Sequence, residues 1–135
     1  MKWDKLISSI IAVCGSVINY LWGGWDLALK TLLLFMALDY MLGVICGYQD
    51  RKLSSETAFK GIIKKITMLI IVAVAVSLDN VINAQGLIRG LSLFYYIGTE
   101  GISILENSGK VGIPIPEKLR DALIQLKEGN KKEVK

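Results

Sequence analysis

Two carboxylates of this sequence lie inside long apolar stretches, where an ionised group is costly. Asp39 is the only charged residue in the stretch 31–49, and Glu100 is the only one in 90–105. At the centre of a membrane an ionised carboxyl costs about 2.5–3.5 kcal/mol on insertion scales, which disfavours contact with lipid. Two interpretations of Asp39 stay open: it lines water or titrates in a transport cycle, or it is protonated or hydrogen-bonded to a neighbouring helix.

Hydroxyl groups accompany the second carboxylate. Thr99 precedes Glu100 directly, and Ser103 follows it by three residues. Two acids that met in a dry site would repel each other, which favours access of water or a shared proton. We therefore treat Asp39, Thr99, Glu100 and Ser103 as candidate intramembrane polar or pore-lining residues.

Residues for most other chemistry are absent or badly placed. The chain contains no histidine, which removes the usual general base and the commonest zinc ligand. Cys14 and Cys46 lie in apolar runs without a C-x-x-C spacing, so they are interpreted as small apolar side chains. No enzymatic activity, metal or cofactor is expected. Nucleic-acid binding also fits poorly, because no aromatic platform accompanies the basic residues.

The elements that carry these residues are predicted from composition and from the positions of charges. The chain has 135 residues, of which 53% are hydrophobic and 21% charged, and its mean hydropathy is +0.48. These values indicate an all-α integral membrane helical bundle. A spanning helix needs ~20 mostly apolar residues. We expect about four transmembrane helices within a transmembrane helical domain at 1–110, at about 6–25, 31–49, 66–84 and 87–105.

The fourth predicted span is the weakest, so three crossings remain the alternative. It is short, contains Glu100 and is rich in glycine, so it is expected to need packing against its neighbours. Asp79, near the far end of the third span, is interpreted as a solvated helix end. Residues 111–135 are predicted to form a cytoplasmic amphipathic helix, beginning at Pro116, and a basic tail.

The distribution of lysine and arginine predicts the orientation. With both termini inside, two of these residues lie in the N-terminal segment, five in the loop 50–65 and seven in the C-terminal region, which leaves only Lys30 and Arg89 outside. Because cytoplasmic segments carry the excess of basic residues, both termini are predicted to be cytoplasmic. Within the loop, Ser54 or Ser55 is expected to cap a helix that lies in the inner interface.

Paired glycines suggest close helix packing. The spacing G-x-x-x-G, which lets helix backbones approach each other, occurs at Gly43 with Gly47 and again at Gly86 with Gly90. Four apolar helices often produce this spacing by chance. General packing is therefore favoured over a dedicated dimer motif.

Several motifs, in their order and spacing, resemble one known family. They are Trp22 to Trp25 with Asp26, Asp39 with Gly43, Lys60-Gly61, Lys64-Lys65, Glu106-Asn107, and Pro114 with Pro116. Together they cover most of the chain from 22 to about 126. The sequence resembles the toxin-secretion and phage-lysis holins of Gram-positive bacteria and their phages.

The resemblance implies a small protein that accumulates in the cytoplasmic membrane of a bacterial host, assembles into a homo-oligomer of many copies and opens lesions. Endolysin, or a toxin in some relatives, would then cross the membrane and the host would lyse. The family has no catalytic residues to carry over. Two other classes remain: a small proton-coupled transporter or ion channel with a membrane-embedded carboxylate, and an accessory scaffold of other membrane proteins.

Overall fold

Five α-helices make up the computed structural model, which describes residues 1–129. They are α1 (Lys2–Trp22), α2 (Leu27–Gln49), α3 (Ser55–Ile82), α4 (Leu87–Val111) and α5 (Glu117–Glu128). The described residues contain no strand, which confirms the all-α prediction. The predicted basic tail at 130–135 lies outside the described residues.

Three of the helices in residues 1–129, α1, α2 and α3, are long and apolar enough to cross a membrane. The fourth predicted span lies within α4, which is not among these three. Its central carboxylate and its glycines lower its hydropathy. The structure thus supports a membrane protein with three candidate spans, and the fourth crossing stays a prediction.

The third helix begins well before the predicted span at 66–84. Ser54 caps it, because its Oγ accepts a hydrogen bond from the Thr57 amide at 3.1 Å. The helix then continues without interruption to Ile82. The interface helix and the third span are therefore one element, and Lys60, Lys64 and Lys65 lie on it rather than in a loop.

A three-helix core forms where α2, α3 and α4 pack together. Their buried apolar side chains recur every three or four residues, the spacing of one helix face. The resulting layers comprise Leu29, Leu32 and Met36 on α2, Met68 and Val72 on α3, and Leu93 and Ile97 on α4. α2 and α4 run parallel, since Asp26 and Arg89 meet at one end and Cys46 and Asn107 at the other.

The first helix stands largely apart from this core. None of its residues is buried. It is held near its C-terminus, where Ile18 and Trp22 pack against the core and the Trp22 indole donates a hydrogen bond to the Leu69 carbonyl at 3.0 Å. Its apolar surface is otherwise uncovered within one copy of the chain.

The last helix folds back along α4, with which it makes a close seam. A Cβ atom at Gly98 would lie 2.8 Å from the Leu123 carbonyl oxygen, so a glycine is needed for this approach. Further along, the Lys127 ammonium lies 5.5 Å from the centre of the Tyr95 ring. α5 therefore covers the C-terminal half of α4, as far back as Tyr95.

Candidate functional site

A buried ion-paired cluster joins the three core helices near their middle. The Lys65 ammonium lies 2.8 Å from Asp39 Oδ2 and 2.5 Å from Glu100 Oε2. The Asn107 side-chain amide donates a hydrogen bond to the other Asp39 oxygen at 3.3 Å. The Glu100 side chain is only 3% exposed, and those of Lys65 and Asp39 are 15% and 14% exposed. We call Asp39, Lys65 and Glu100 the Lys65 cluster.

Helix register brings these three side chains together. Asp39 follows the buried Met36 by three residues on α2, Lys65 precedes the buried Met68 by three on α3, and Glu100 follows the buried Ile97 by three on α4. The cluster is thus the next layer of the core after the apolar ones. With both carboxyls ionised it carries one net negative charge, because one ammonium faces two carboxylates.

A cavity of about 250 Å³, lined by both polar and apolar side chains, adjoins the Lys65 cluster. At ~30 Å³ per molecule it has room for roughly eight waters. Thr99 and Ser103 line it, as do Gly43, Leu53 and Thr57. All four candidate intramembrane polar residues, Asp39, Thr99, Glu100 and Ser103, therefore surround one space.

Residues of the family-like motifs divide between this cavity and other places. Gly61, Lys64, Lys65 and Asn107 line the cavity. Lys60 instead makes an exposed ion pair with Glu56 at 2.7 Å. Glu106 is exposed, Pro114 and Pro116 lie in the connection between α4 and α5, and Trp22, Trp25 and Asp26 lie at the opposite end of the bundle.

The four glycines of the paired spacing have different surroundings. A Cβ atom at Gly43 or Gly90 would meet nothing within 4 Å, so no helix of this copy packs there. Gly47 lies against Leu53, and Gly86 has a positive φ of 82° just before α4. The role of these four glycines in close helix packing, within or between copies, stays a prediction.

Lys65 is the residue of this site that the sequence interpretation missed. In the sequence analysis it is counted among the five basic residues of the cytoplasmic loop 50–65. The signal that identifies it is its spacing: residues 65, 68, 72, 76 and 79 follow the alternation of three and four that marks the buried face of α3. Lys64 lies off that face and is exposed.

A second charged cluster closes the other end of the bundle. The Arg89 guanidinium binds both carboxylate oxygens of Asp26, at 2.7 and 3.0 Å, and donates to the Trp22 carbonyl. Asp79 accepts hydrogen bonds from the backbone amides of Ile88 and Arg89 at 3.0 and 2.6 Å. We call Asp26, Asp79 and Arg89 the Arg89 cluster.

The contacts of the Arg89 cluster show that the expectation for Asp79 is wrong, and they explain how the charge of Asp26 is stabilised. Asp79 is not a solvated helix end: it is only 5% exposed and caps α4, because two orphan amides of that helix need an acceptor. The hydrogen bonds from Arg89 hold the pKa of Asp26 down at about 2, against the smaller opposing effect of burial. Asp26 also accepts from the Leu29 amide at 3.0 Å and so caps α2.

Comparison with known proteins identifies the family of the chain. The sequence profile of the bacteriophage holin family matches residues 16–128. The chain belongs to the bacteriophage holin family. This membership, with the three apolar helices, makes it a holin-like membrane protein.

Relatives of this holin-family protein occur in several Gram-positive bacteria. An uncharacterised 14.9 kDa protein from the nagH 3′ region of Clostridium perfringens is 46% identical over 98% of this chain and 95% of its own length. An uncharacterised protein of Listeria innocua is 38% identical over 88% of this chain and 86% of its own length. An uncharacterised protein of Bacillus subtilis is 32% identical over 94% and 95%. No solved structure matches the chain.

Proposed function

We propose that this holin-family protein assembles in the cytoplasmic membrane of a bacterial host and opens multi-copy lesions through which an endolysin or a toxin leaves. The observation that carries the proposal is the contrast between two sides of the molecule. The helices α1 to α3 present apolar surface, whereas the outer side of α5, which packs on α4, carries charged side chains.

The charged side of α5 extends along the bundle rather than lying only at one end. α4 is paired with α2 along its length, from Asp26 and Arg89 to Cys46 and Asn107. α5 follows α4 back as far as Tyr95, and its outer side carries the exposed residues Lys118, Arg120, Asp121 and Glu128. If α4 crosses the bilayer, this side needs water at membrane depth.

An assembly of many copies can provide water at membrane depth better than a single copy can. A single chain of this size cannot enclose a protein-sized hole, and charged side chains are costly in lipid. Copies that turn the charged side of α5 toward a common water-filled space, and the apolar surfaces of α1 to α3 toward lipid, place both kinds of surface in suitable surroundings. The lesion requires no catalysis by the protein.

The orientation proposed is four crossings with both termini cytoplasmic, because fourteen lysines and arginines then lie inside and two outside. Single cysteines in a cysteine-free background test it. Lys118→Cys should react with an impermeant thiol reagent only from the cytoplasmic side, and Leu27→Cys only from outside. Labelling of Lys118→Cys in intact cells before the membrane potential is lost would overturn this orientation.

The lesion itself is tested by the time course after induction in a bacterium. Growth should continue until an abrupt loss of membrane potential, because lesions need a critical density of subunits. A co-expressed endolysin without a signal sequence should degrade the wall only after that loss, and cross-linking should yield large homo-oligomers. A gradual leak of ions or small dyes, without escape of folded endolysin, would instead support the small transporter or channel.

A further inference from the structure

The two ends of the bundle core differ in their access to water. The cavity lies on the Asn107 side of the core and adjoins the Lys65 cluster. Beyond the cluster lie two apolar layers, the first containing Met36, Met68 and Ile97 and the second Leu32, Val72 and Leu93. The three residues of the second layer have no exposed surface, so the core is closed there.

We propose that a single copy of the chain contains a one-sided vestibule that admits small hydrated cations from the Asn107 end and stops at the apolar layers. This property belongs to the individual chain and does not depend on lesion formation. The ligand class is a small monovalent cation with part of its water shell, held beside the Lys65 cluster.

Charge at the floor of the vestibule favours cations. Asp39 of α2 and Glu100 of α4 face Lys65 of α3, which leaves one net negative charge there when both acids are ionised. Lys64 also lines the cavity, but it is exposed, so water screens its charge more than the charges of the buried cluster. A buried negative charge attracts cations more strongly than the same charge in open water.

Polar groups along the walls can replace part of a cation's water shell. Ser103, Thr99 and Asn107 of α4 line one side, and Thr57 of α3 also lines the cavity. The cavity is wide enough for a cation with several waters, given its volume of about 250 Å³. In contrast, the apolar layers offer no such group. These layers separate the two charged clusters, because Glu100 and Arg89 are ~16 Å apart along α4 at ~1.5 Å per residue.

Thiol modification of the full-length chain in membrane vesicles tests the vestibule. Single cysteines are placed in a Cys14→Ala, Cys46→Ala background at Ser103 in the vestibule and at Leu93 in the closed layer. Lys110→Cys, exposed at the Asn107 end, and Leu87→Cys, exposed at the other end, identify the side from which a reagent acts. Small cationic and anionic methanethiosulfonates are then added to each side separately.

Ser103→Cys should react from the same side as Lys110→Cys, and Leu93→Cys should react from neither side. The ratio of cationic to anionic rates should be about tenfold higher at position 103 than at 110. Adding Glu100→Gln leaves Lys65 paired with Asp39 alone, so the cluster has no net charge. The ratio of cationic to anionic rates at position 103 should then fall to that at position 110. Asp39→Asn provides a second neutralised floor should Glu100→Gln fail to insert.

Three results would overturn the proposal. An unreactive Ser103→Cys would show that water and ions do not enter the cavity. Equal reactivity at positions 93 and 103 would show that the apolar layers do not close the core. An equal ratio of cationic to anionic rates at positions 103 and 110 would remove the preference for cations.

Discussion

The Lys65 cluster and the Arg89 cluster contain the same charges in different surroundings. Each has two carboxylates and one basic side chain, and each connects α2, α3 and α4 or their ends. The carboxylates of the Arg89 cluster also accept backbone amides at the starts of α2 and α4, and Asp26 is half exposed. Within residues 1–129, the carboxylates of the Lys65 cluster accept hydrogen bonds only from side chains, those of Lys65 and Asn107.

Because of this difference, we interpret the Arg89 cluster as a structural contact that closes one end of the bundle, and the Lys65 cluster as a site that can respond to water. Helix N-termini carry partial positive charge, so they compensate the second acid of the Arg89 cluster without solvent. The Lys65 cluster has no helix terminus nearby, and its second acid needs water, a proton or a cation. We therefore expect changes in the Arg89 cluster to affect folding, and changes in the acids of the Lys65 cluster to affect lesion formation.

Removal of the shared ammonium should have the largest effect. Lys65→Met leaves Asp39 and Glu100 facing each other in the core, and breaking a buried ion pair in this way costs about 3–5 kcal/mol. The purified protein in detergent should unfold at a much lower temperature. Lys64→Met, which changes the exposed neighbour, is the matched control and should unfold like the wild type. Equal losses in both variants would contradict the role assigned to Lys65.

A smaller loss is expected when the other basic residue is replaced. Arg89→Gln removes the bidentate pair with Asp26, and hydrogen bonds to charged groups contribute about 1.5–3 kcal/mol each before solvent exposure reduces them. The backbone caps made by Asp79 remain. Thermal unfolding in detergent should therefore show a partial loss of stability. A loss as large as that of Lys65→Met would remove the distinction between the two clusters.

The pH dependence of the Arg89 cluster should be weaker still and confined to acid. The pKa of Asp26 is lowered from 3.8 to about 2 in the folded protein, chiefly by Arg89. Its contribution to stability is therefore fully present above pH ~4 and is lost as the pH falls from ~4 to ~2. Wild-type stability should decline in this window more than that of Arg89→Gln, measured by the fluorescence of Trp22 and Trp25. Parallel acid curves would contradict the assignment.

The sequence predicted the helices better than it predicted their partners. Apolar runs and charges are local signals, so the all-α fold and the grouping of Asp39 with Glu100, Thr99 and Ser103 followed from them. Lys65 was misassigned because a basic pair next to an apolar run is typical of a membrane boundary, whereas its burial depends on the register of three helices. The cap made by Asp79 likewise depends on a contact with the next helix.

The path of α5 was also beyond the sequence pattern. Its amphipathic spacing is visible in the chain, but the pattern does not say what its apolar side covers. The deciding residues are Gly98 and Gly101, which leave space for Leu123 and for the backbone of α5. They lie outside the G-x-x-x-G pairs on which the packing prediction was based.

The most direct test of the central claim compares Asp39→Asn with Asp26→Asn at equal amounts in the membrane, using the time at which the membrane potential collapses. Asp39→Asn leaves Lys65 and Glu100 as a neutral pair that tolerates a dry core, so the account predicts normal insertion and a later collapse. Asp26→Asn should lower thermal stability and leave the time of collapse unchanged. An unchanged time for Asp39→Asn, with a shifted time for Asp26→Asn, would contradict the account.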